Sequence, residues 1–446
     1  MKQRTLLLLA MSGVRVQNAA LLEAGLTLPG FVERSRVIAS LPSLGLLTLA
    51  AWTPENWHIE YREVDDLDDH NFDDFDFDLV AISSLSARVL DAYTIADALR
   101  ARGVTVVIGG LHASALPHEA ALHADAVVCG EGESVWPQLL RDFENHQLQP
   151  LYSSFDSSHK KFRLCDSRTP RFDLLDIAKY NRLTLQTTRG CPLDCEFCGA
   201  SRLISSYKKK PLENIRREIK LILSIWPRPF LELADDNTFA DKRWARELAQ
   251  LLSEYSIPWF TETDISVADD DELLRLLAQS NCAQLLIGFE SSTRSSLQSI
   301  DGRNWKRDRH AKYLDDIAKI QSYGIAVNGC FILGFDADDV GVFDRTREFV
   351  SKSDLADVQI TVLTPFPGTA LQHRLKHENR LLKSVYWNQC TLFDVTFQPA
   401  QMSAQRLESE FGNLMHDIYA DEAVARRKSR FRECVRARRG LTPSQK

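Results

Sequence analysis

The sequence predicts two consecutive α/β domains followed by a mostly helical C-terminal segment. Strand-like and helix-like runs alternate along residues 1–150 and again along 183–390, and helical periodicity takes over along 391–446. The segment 151–182 is polar with few periodic apolar residues, so it is predicted to be a linker. A chain of 446 residues is also too long for one ordinary hydrophobic core.

The N-terminal alternation predicts a Rossmann-like (flavodoxin-like) doubly wound domain. Glycines at two strand ends, Gly109-Gly110 and Gly130-Glu131-Gly132, mark an edge where a bulky ligand can approach the backbone. No Gly-x-Gly-x-x-Gly opens the first helix, so a dinucleotide site is poorly supported. The predicted strands are Thr5–Ala10, His58–Val64, Leu79–Ser83, Val104–Ile108 and Ala126–Cys129, and the predicted helices are Leu44–Trp52, Val89–Ala101 and Val135–Phe143.

The second alternation predicts a parallel sheet or barrel, because a helix-like run follows each strand-like run except the last. Chemistry in a barrel lies at the carboxyl ends of its strands. The predicted strands are Leu183–Thr188, Phe230–Ala234, Trp259–Glu262, Leu285–Glu290, Ala326–Gly334 and Val358–Thr364. The predicted helices between them are Leu212–Trp226, Lys242–Tyr255, Asp271–Gln279, Asp308–Ser322 and Val342–Ser351, and a later one is Leu407–Tyr419.

Three cysteines directly follow the first strand of the second series. Cys191, Cys195 and Cys198 have the spacing Cys-x-x-x-Cys-x-x-Cys within eight residues. Three thiolates can hold three corners of an iron–sulfur cluster and leave one iron open to a substrate or cofactor. This motif therefore predicts a metal centre at the barrel mouth.

Other uses of these cysteines are less consistent with the sequence. A structural zinc site needs four Cys or His ligands, and a ferredoxin-type cluster needs four cysteines. A disulfide framework is unexpected in a chain with nine cysteines, an odd number, that does not look secreted. The other cysteines are scattered singly: Cys129, Cys165, Cys282, Cys330, Cys390 and Cys434.

The cysteine motif resembles the signature of the radical S-adenosylmethionine (SAM) enzymes. In that family three cysteines bind a [4Fe-4S] cluster, and the amine and carboxylate of SAM chelate the fourth iron. The resemblance implies one-electron cleavage of SAM to a 5′-deoxyadenosyl radical that abstracts hydrogen from unactivated carbon. It also implies a partial (β/α)6 TIM-type barrel, which the six strands fit.

Residues at several strand ends are similar to family positions near SAM. The resemblance implies that SAM contacts Phe197, Asp235, Asp236, Glu262, Glu290 and Ser291. An alternative for each strand-end acid is a helix N-cap, and Phe197 alternatively anchors its loop. Cys330, inside an apolar strand, is expected to be a buried small hydrophobe.

The N-terminal domain resembles the cobalamin (B12)-binding domain that precedes many radical SAM barrels. The resemblance implies that cobalamin contacts Ser83, Ser84, Gly109, Gly110, His112, Gly130, Glu131 and Gly132. The Asp-x-His-x-x-Gly loop of some cobalamin proteins is absent, because Asp73 follows Asp68-Asp69-His70 where glycine should stand. Two alternatives remain open: a domain that has lost cobalamin and serves as scaffold or substrate cover, and a helix-capping role for His112.

Composition limits the partners and the location. A net charge of −7 is not that of a nucleic-acid binder. The start Met1–Leu9 imitates a signal peptide, but its apolar run is short and a first parallel strand explains it equally well. Reduced thiols favour a cytoplasmic location, and no apolar run is long enough to span a membrane.

The tail concentrates basic residues. Such runs are mostly solvated helix faces, and a minority bind anionic lipid or nucleic acid, so peripheral membrane contact stays open. The residues are Arg426, Arg427, Lys428, Arg430, Arg432, Arg436, Arg438 and Arg439.

The leading functional hypothesis is methylation of an unactivated carbon of a metabolite or lipid-like substrate. It implies SAM, a [4Fe-4S] cluster, cobalamin and a reductant such as flavodoxin or ferredoxin. A second hypothesis keeps the radical but ends in cyclisation, rearrangement or oxidation. A third is a non-catalytic cobalamin or cluster sensor, which the position of the cysteines at a barrel mouth disfavours.

Overall fold

The computed structural model describes residues 3–24, 41–67, 75–156, 161–199, 203–298 and 300–438. Two parallel sheets of six strands follow one another along this part of the chain, and helices end it. The predicted fold class is thereby confirmed. The segment containing Asp68, Asp69, His70 and Asp73 lies outside the described residues, as does Arg439.

The N-terminal sheet has the strand order β2-β1-β3-β4-β5-β6, which is the flavodoxin-like order with one added edge strand. Every pair in it is parallel. The strands are β1 Arg4–Met11, β2 Trp57–Val64, β3 Leu79–Ser83, β4 Thr105–Gly109, β5 Ala126–Cys129 and β6 Leu151–Ser153. The helices are α1 Ala19–Ala24, α2 Leu44–Trp52, α3 Val89–Ala101, α4 Leu111–Ala115, α5 Pro117–Ala120 and α6 Gly132–Glu144.

The apolar run at the start of the chain is explained by the two faces of β1. Leu7 and Leu9 pack into the core on one side of the sheet, and Leu6 and Leu8 pack into the core on the other. All four side chains are fully buried. A strand covered by helices on both faces needs apolar residues at every position, so the run does not alternate.

The second sheet is a partial barrel with the strand order β14-β13-β12-β11-β10-β7. Each outer strand, β7 and β14, pairs with one neighbour in the described structure, so this six-stranded barrel is open. Its strands are β7 Leu183–Leu185, β10 Leu231–Leu233, β11 Trp259–Thr263, β12 Cys282–Glu290, β13 Ala326–Leu333 and β14 Asp357–Val362, and a separate antiparallel pair is β8 Thr188–Arg189 and β9 Lys208–Lys209. The helices are α7 Leu212–Ile225, α8 Lys242–Ser253, α9 Asp271–Gln279, α10 Trp305–Arg309, α11 Tyr313–Ser322, α12 Val342–Lys352 and α13 Ala370–His377.

Side chains along each barrel strand point alternately towards the surrounding helices, where they form the core, and into the barrel, where they form its inner face. Leu285 and Ile287 of β12 pack into the core with helix residues. Leu286 between them therefore points into the barrel. Register extends this inner face to its neighbours, because Glu262 of β11 and Asn328 of β13 both pair with Leu286.

Three local features differ from the expectation. The first barrel strand ends at Leu185 rather than Thr188, and the β8–β9 pair then brackets the cysteine loop, residues 190–207. The N-terminal sheet continues through β6, three residues into the segment predicted to be linker. The segment after α13 also turns back, and Tyr386 and Trp387 complete the N-terminal core.

Two helices, α14 Ala404–Tyr419 and α15 Asp421–Arg438, end the described chain. Not all of the basic tail is solvated: Arg427 is buried and donates to the Ile418 carbonyl oxygen at 2.8 Å, and Arg430 pairs with Asp354. Lys428 and Arg432 are exposed one turn apart. The tail is therefore partly a structural helix that packs on the barrel.

Candidate functional site

The cysteine loop leaves the β8–β9 pair at Gly190. This glycine has φ +79°, and a Cβ on it would lie 2.8 Å from the backbone of Ser205 and Ser206 on the returning side of the loop. Its N–H donates to Asp236 Oδ2 at 2.8 Å. Only glycine combines that backbone angle with so close an approach, so it closes the base of the loop.

All three cysteines of the motif lie on this loop as thiols rather than disulfides. Cys195 is buried, whereas Cys191 and Cys198 are half-buried. Burial raises the pKa of Cys191, and it raises that of Cys195 to about 12. Proximity to Cys198 contributes to both shifts, so the three sulfurs are electrostatic neighbours. No group of three or more His, Cys, Asp or Glu side chains in the described residues is arranged to hold a metal ion.

Asp235 and Asp236, predicted near SAM, accept hydrogen bonds from the backbone that leads into the cysteine loop. Asp235 Oδ1 accepts from the N–H groups of Thr187 at 2.7 Å and Thr188 at 2.8 Å, and its Oδ2 accepts from Thr238 Oγ1 at 3.0 Å. Asp235 is therefore fully engaged in positioning the strand that leads into the loop. Burial raises the pKa of both carboxyls.

Asn237 is a residue of this site that the sequence did not single out. Its Nδ2 lies 3.6 Å from Cys191 Sγ and donates to Asp264 Oδ2 at 2.8 Å. Its sequence signal was its place directly after Asp235 and Asp236, in a strand-end segment that resembles the Asp-Asp-Asn type of the radical SAM family. Asn237 orients the first sulfur of the motif.

The far side of the loop is fixed to the barrel rim. The N–H of Glu196 donates to the Ile300 carbonyl oxygen at 3.0 Å, and the Glu196 carboxylate accepts from Arg374 at 2.8 Å. Asp194 Oδ1 accepts from the Gly302 N–H at 2.9 Å. The Phe197 ring lies 6.0 Å from that of Phe335, a contact that fits the loop-anchoring alternative.

Glu262 points into the barrel among other acids. Many protein atoms surround the Glu262 carboxylate. The side chain nevertheless borders open space inside the barrel, so solvent can reach it. Burial and the nearby carboxylates of Glu232, Asp236, Asp235 and Glu290 raise the pKa of Glu262 to about 8. The inner face thus holds several carboxyls close together, and it suits a cationic ligand, which would favour their ionised form.

Glu290 and Ser291, both predicted near SAM, are held by neighbouring protein groups. Glu290 has φ +64°, and its Oε1 accepts from Lys306 Nζ at 2.6 Å. Lys306 also donates to the Gly288 carbonyl oxygen at 2.8 Å, and both charged residues are buried. Burial opposes protonation of Lys306, but Glu290 outweighs it and raises the lysine pKa. Ser291 is buried and its Oγ accepts from the Thr293 N–H at 3.1 Å.

The raised pKa of Glu262 predicts a pH effect on stability. A carboxyl with a raised folded-state pKa stabilises the fold below its ordinary pKa, and this contribution is lost as pH rises through the folded value. The free energy of unfolding should therefore fall between pH 5 and pH 8 by an amount that Glu262→Gln removes. Denaturant titrations of both proteins across this range measure the difference. If the free energies of unfolding of the wild type and of Glu262→Gln changed in parallel with pH, the raised pKa of Glu262 would be contradicted.

A cavity of about 190 Å³ opens at the carboxyl ends of β3, β4 and β5. Its wall includes Ser83, Gly109, Gly110, Gly130, Glu131 and Gly132, which are six of the eight residues predicted to contact cobalamin. Gly130 has φ +78°, and a Cβ there would lie 2.1 Å from Ser154 Oγ. The predicted glycine edge therefore does form the rim of a cavity.

The other two predicted residues are not in that wall. His112 is buried, its Nδ1 lies 3.0 Å from Ser86 Oγ, and its Nε2 lies 3.1 Å from Glu119 Oε1. Both ring nitrogens are thus engaged by protein groups, and a place for His112 beside the corrin stays a prediction. Ser84 is buried and donates to the Leu85 carbonyl oxygen at 2.9 Å.

The barrel domain also contributes to the cavity wall. Arg189 of β8 and Ile204 of the cysteine loop line it together with the glycines. Arg189 reaches Glu131 at 2.9 Å and Glu133 at 2.7 Å. The glycine-rimmed cavity and the cysteine loop are therefore adjacent and share side chains.

Comparison with known proteins agrees with this two-site arrangement. The B12 binding domain profile matches residues 36–140, the radical SAM superfamily profile matches 185–350, and a domain of unknown function matches 369–446. Bacteriochlorophyllide d C-8(2)-methyltransferase of Chlorobaculum tepidum is 31% identical over 363 residues, which cover 77% of this chain and 78% of that protein. The chain belongs to the cobalamin-dependent radical SAM methyltransferases.

Two further methyltransferases are similar over most of this chain at lower identity. Hopanoid C-2 methylase of Rhodopseudomonas palustris is 24% identical, covering 78% of this chain and 66% of that protein. The structure of the radical SAM methyltransferase TsrM from Kitasatospora setae, with cobalamin and a [4Fe-4S] cluster, has the same fold: the TM-score is 0.68 over 98% of this chain and 99% of that one, at 12% identity.

The cofactors of this methyltransferase are SAM, a [4Fe-4S] cluster and cobalamin. Its residues fit them, because three thiols lie on one anchored loop beside an acidic barrel interior. Two buried oxygens that face this interior, Thr184 Oγ1 and Asn328 Oδ1, have no hydrogen-bond partner among the described residues. A polar ligand in the barrel would satisfy them. None of the described helices is long and apolar enough to cross a membrane.

Proposed function

We propose that this methyltransferase adds a methyl group to an unactivated carbon of a bulky, mainly apolar metabolite. The observation that carries the proposal is the shared wall between the glycine-rimmed cavity and the cysteine loop. When bound, the cofactors supply a 5′-deoxyadenosyl radical on one side and a methyl group on the other. Relatives named for bacteriochlorophyllide d and for hopanoids support a ring-rich or lipid-like substrate.

The residues divide between the cofactors as follows. Cys191, Cys195 and Cys198 would hold the cluster, and Asn237 would orient Cys191. The acidic inner face around Glu262 would attract the positively charged sulfonium and ammonium of SAM. The glycines of the cavity rim would admit cobalamin close to the backbone.

Several predicted SAM contacts are proposed instead to position other groups. Asp235 and Asp236 would hold the loop backbone through their hydrogen bonds to Thr188 and Gly190. Glu290, paired with Lys306, would shape the barrel rim. Phe197 would exclude water from the cluster through its contact with Phe335.

The reductant and the location also belong to this proposal. A small electron-transfer protein such as flavodoxin or ferredoxin would reduce the cluster. A cytoplasmic location is proposed because cluster thiols must stay reduced before the metal is inserted. The exposed bases of α15 would allow peripheral contact with anionic lipid.

The test is anaerobic reconstitution with iron, sulfide and cobalamin, followed by reduction in the presence of SAM and candidate polycyclic lipids or tetrapyrroles. A methylated product, S-adenosylhomocysteine and 5′-deoxyadenosine in matching amounts are expected. A product without a new methyl group, accompanied only by 5′-deoxyadenosine, would establish the cyclisation, rearrangement or oxidation alternative. Failure to form 5′-deoxyadenosine despite a complete cluster would favour the sensor.

A further inference from the structure

We infer that four charges, two buried and two half-buried, link cobalamin binding to assembly of the iron–sulfur cluster. These charges, here called the interdomain ion cluster, are Glu131 and Glu133 of the N-terminal domain and Arg189 and Lys208 of the β8–β9 pair. The inference rests on the cobalamin and cluster assignments above. It makes Arg189 a positioning residue for both cofactors.

The interdomain ion cluster is closely connected. Arg189 Nη1 donates to Glu131 Oε1 at 2.9 Å, and its Nη2 donates to Glu133 Oε1 at 2.7 Å. Lys208 Nζ donates to Glu131 Oε2 at 2.6 Å and to the Phe162 carbonyl oxygen at 2.8 Å. Each glutamate thus pairs with a cation from the other domain.

These charges are largely removed from water. The side chains of Glu131 and Glu133 are each 8% exposed, and that of Arg189 is 15% exposed. Burial alone would raise the pKa of Glu133, but Arg189 holds that pKa below its ordinary value. Separation of one buried partner would leave an uncompensated charge, so the arrangement in which all four charges are paired is favoured over arrangements that separate them.

The ion cluster touches both cofactor sites. Glu131, Glu133 and Arg189 line the cavity beside Gly130 and Gly132. Arg189 also stands two residues before Cys191, and Lys208 lies on the strand that closes the same loop. A shift of Arg189 would therefore change the cavity wall and the base of the cysteine loop together.

The β8–β9 pair has little freedom to absorb such a shift elsewhere. Asp235 fixes the backbone at Thr188, just before Arg189, and Asp236 fixes it at Gly190, just after. Arg189 therefore connects a backbone segment that is held on both sides to Glu131, which precedes α6, and to Glu133 within α6. Cobalamin that orders the glutamates would therefore also order the cysteine loop. By thermodynamic linkage, the cluster would then raise the affinity for cobalamin by the same factor as cobalamin raises the affinity for the cluster.

The test compares hydroxocobalamin affinity, followed by its absorption spectrum, for protein with and without the reconstituted cluster. For the wild-type chain, we expect the cluster to tighten binding about fivefold or more. In the double variant Arg189→Gln with Glu133→Gln, which removes one charge of each sign, this ratio should approach one. A second readout is the rate of iron loss to a chelator, which cobalamin should slow in the wild type and leave unchanged in the variant.

The control is Asp316→Asn, which breaks a comparably buried pair with Arg309 on the outside of the barrel. It should keep the wild-type affinity ratio. Should the double variant fold poorly, Arg189→Lys keeps the charge but loses the two-pronged contact, and it should lower the ratio partly. A wild-type ratio of one, or a wild-type ratio retained in the double variant, would overturn the linkage. Neither result depends on methylation, so the linkage and the proposed function can fail separately.

Discussion

Replacement of any one of Cys191, Cys195 and Cys198 by alanine is expected to abolish both the iron–sulfur cluster and turnover. Three thiolates are the only cysteine ligands that the motif provides, and two cannot hold a cluster that already leaves one iron open. Iron should fall from about four atoms per chain to near zero. Iron and sulfide analysis after anaerobic reconstitution, together with 5′-deoxyadenosine formation, measures both effects.

Cys165→Ser is the matched control for these variants, because Cys165 is an exposed thiol in the segment between the domains. It should reconstitute a full cluster and keep wild-type turnover. The three alanine variants should bind hydroxocobalamin as weakly as cluster-free wild type does. A loop variant that kept its iron content and activity would refute the ligand assignment.

Lys306→Met is expected to lower the free energy of unfolding by about 3–5 kcal/mol. The substitution leaves Glu290 buried beside an apolar side chain, because Lys306 Nζ is its ion-pair partner at 2.6 Å. A buried charge without a partner costs far more than an exposed one. Urea unfolding of the cluster-free chain, followed by circular dichroism, measures the loss.

Two further variants separate this effect from the general loss of a lysine. Lys306→Met combined with Glu290→Gln removes both charges, and most of the lost stability should return. Lys319→Met breaks an exposed pair with Asp271, so it should cost no more than about 1 kcal/mol. Equal losses in Lys306→Met and Lys319→Met would contradict the argument.

The sequence predicted the elements that carry a strong apolar pattern. Five elements have in the structure the ends that the sequence predicted: Leu79–Ser83, Ala126–Cys129, Leu44–Trp52, Val89–Ala101 and Asp271–Gln279. The short elements were missed, because Thr188–Arg189 and Lys208–Lys209 are polar two-residue strands defined only by their pairing. Trp387 was missed for a related reason: its place in the N-terminal core depends on a contact more than 250 residues away in sequence.

The candidate site was predictable in its residue types but not in their partners. Strand ends identified Asp235, Asp236 and Glu290 as polar groups near the barrel mouth. The sequence could not reveal that backbone N–H groups and Lys306 already occupy their oxygens. The partners of His112 were hidden similarly, because Ser86 and Glu119 approach it only in the folded domain.

The anchoring of the cysteine loop has a consequence for life in the presence of oxygen. The hydrogen bonds that hold this loop join protein groups to one another and do not depend on iron; they are made by Asp235, Asp236, Asp194 and Glu196. A chain whose cluster is destroyed by air would keep these hydrogen bonds, so less ordering entropy would oppose renewed iron insertion. Oxidative damage at this centre should therefore be repairable by the cell's cluster-assembly machinery without refolding of the enzyme.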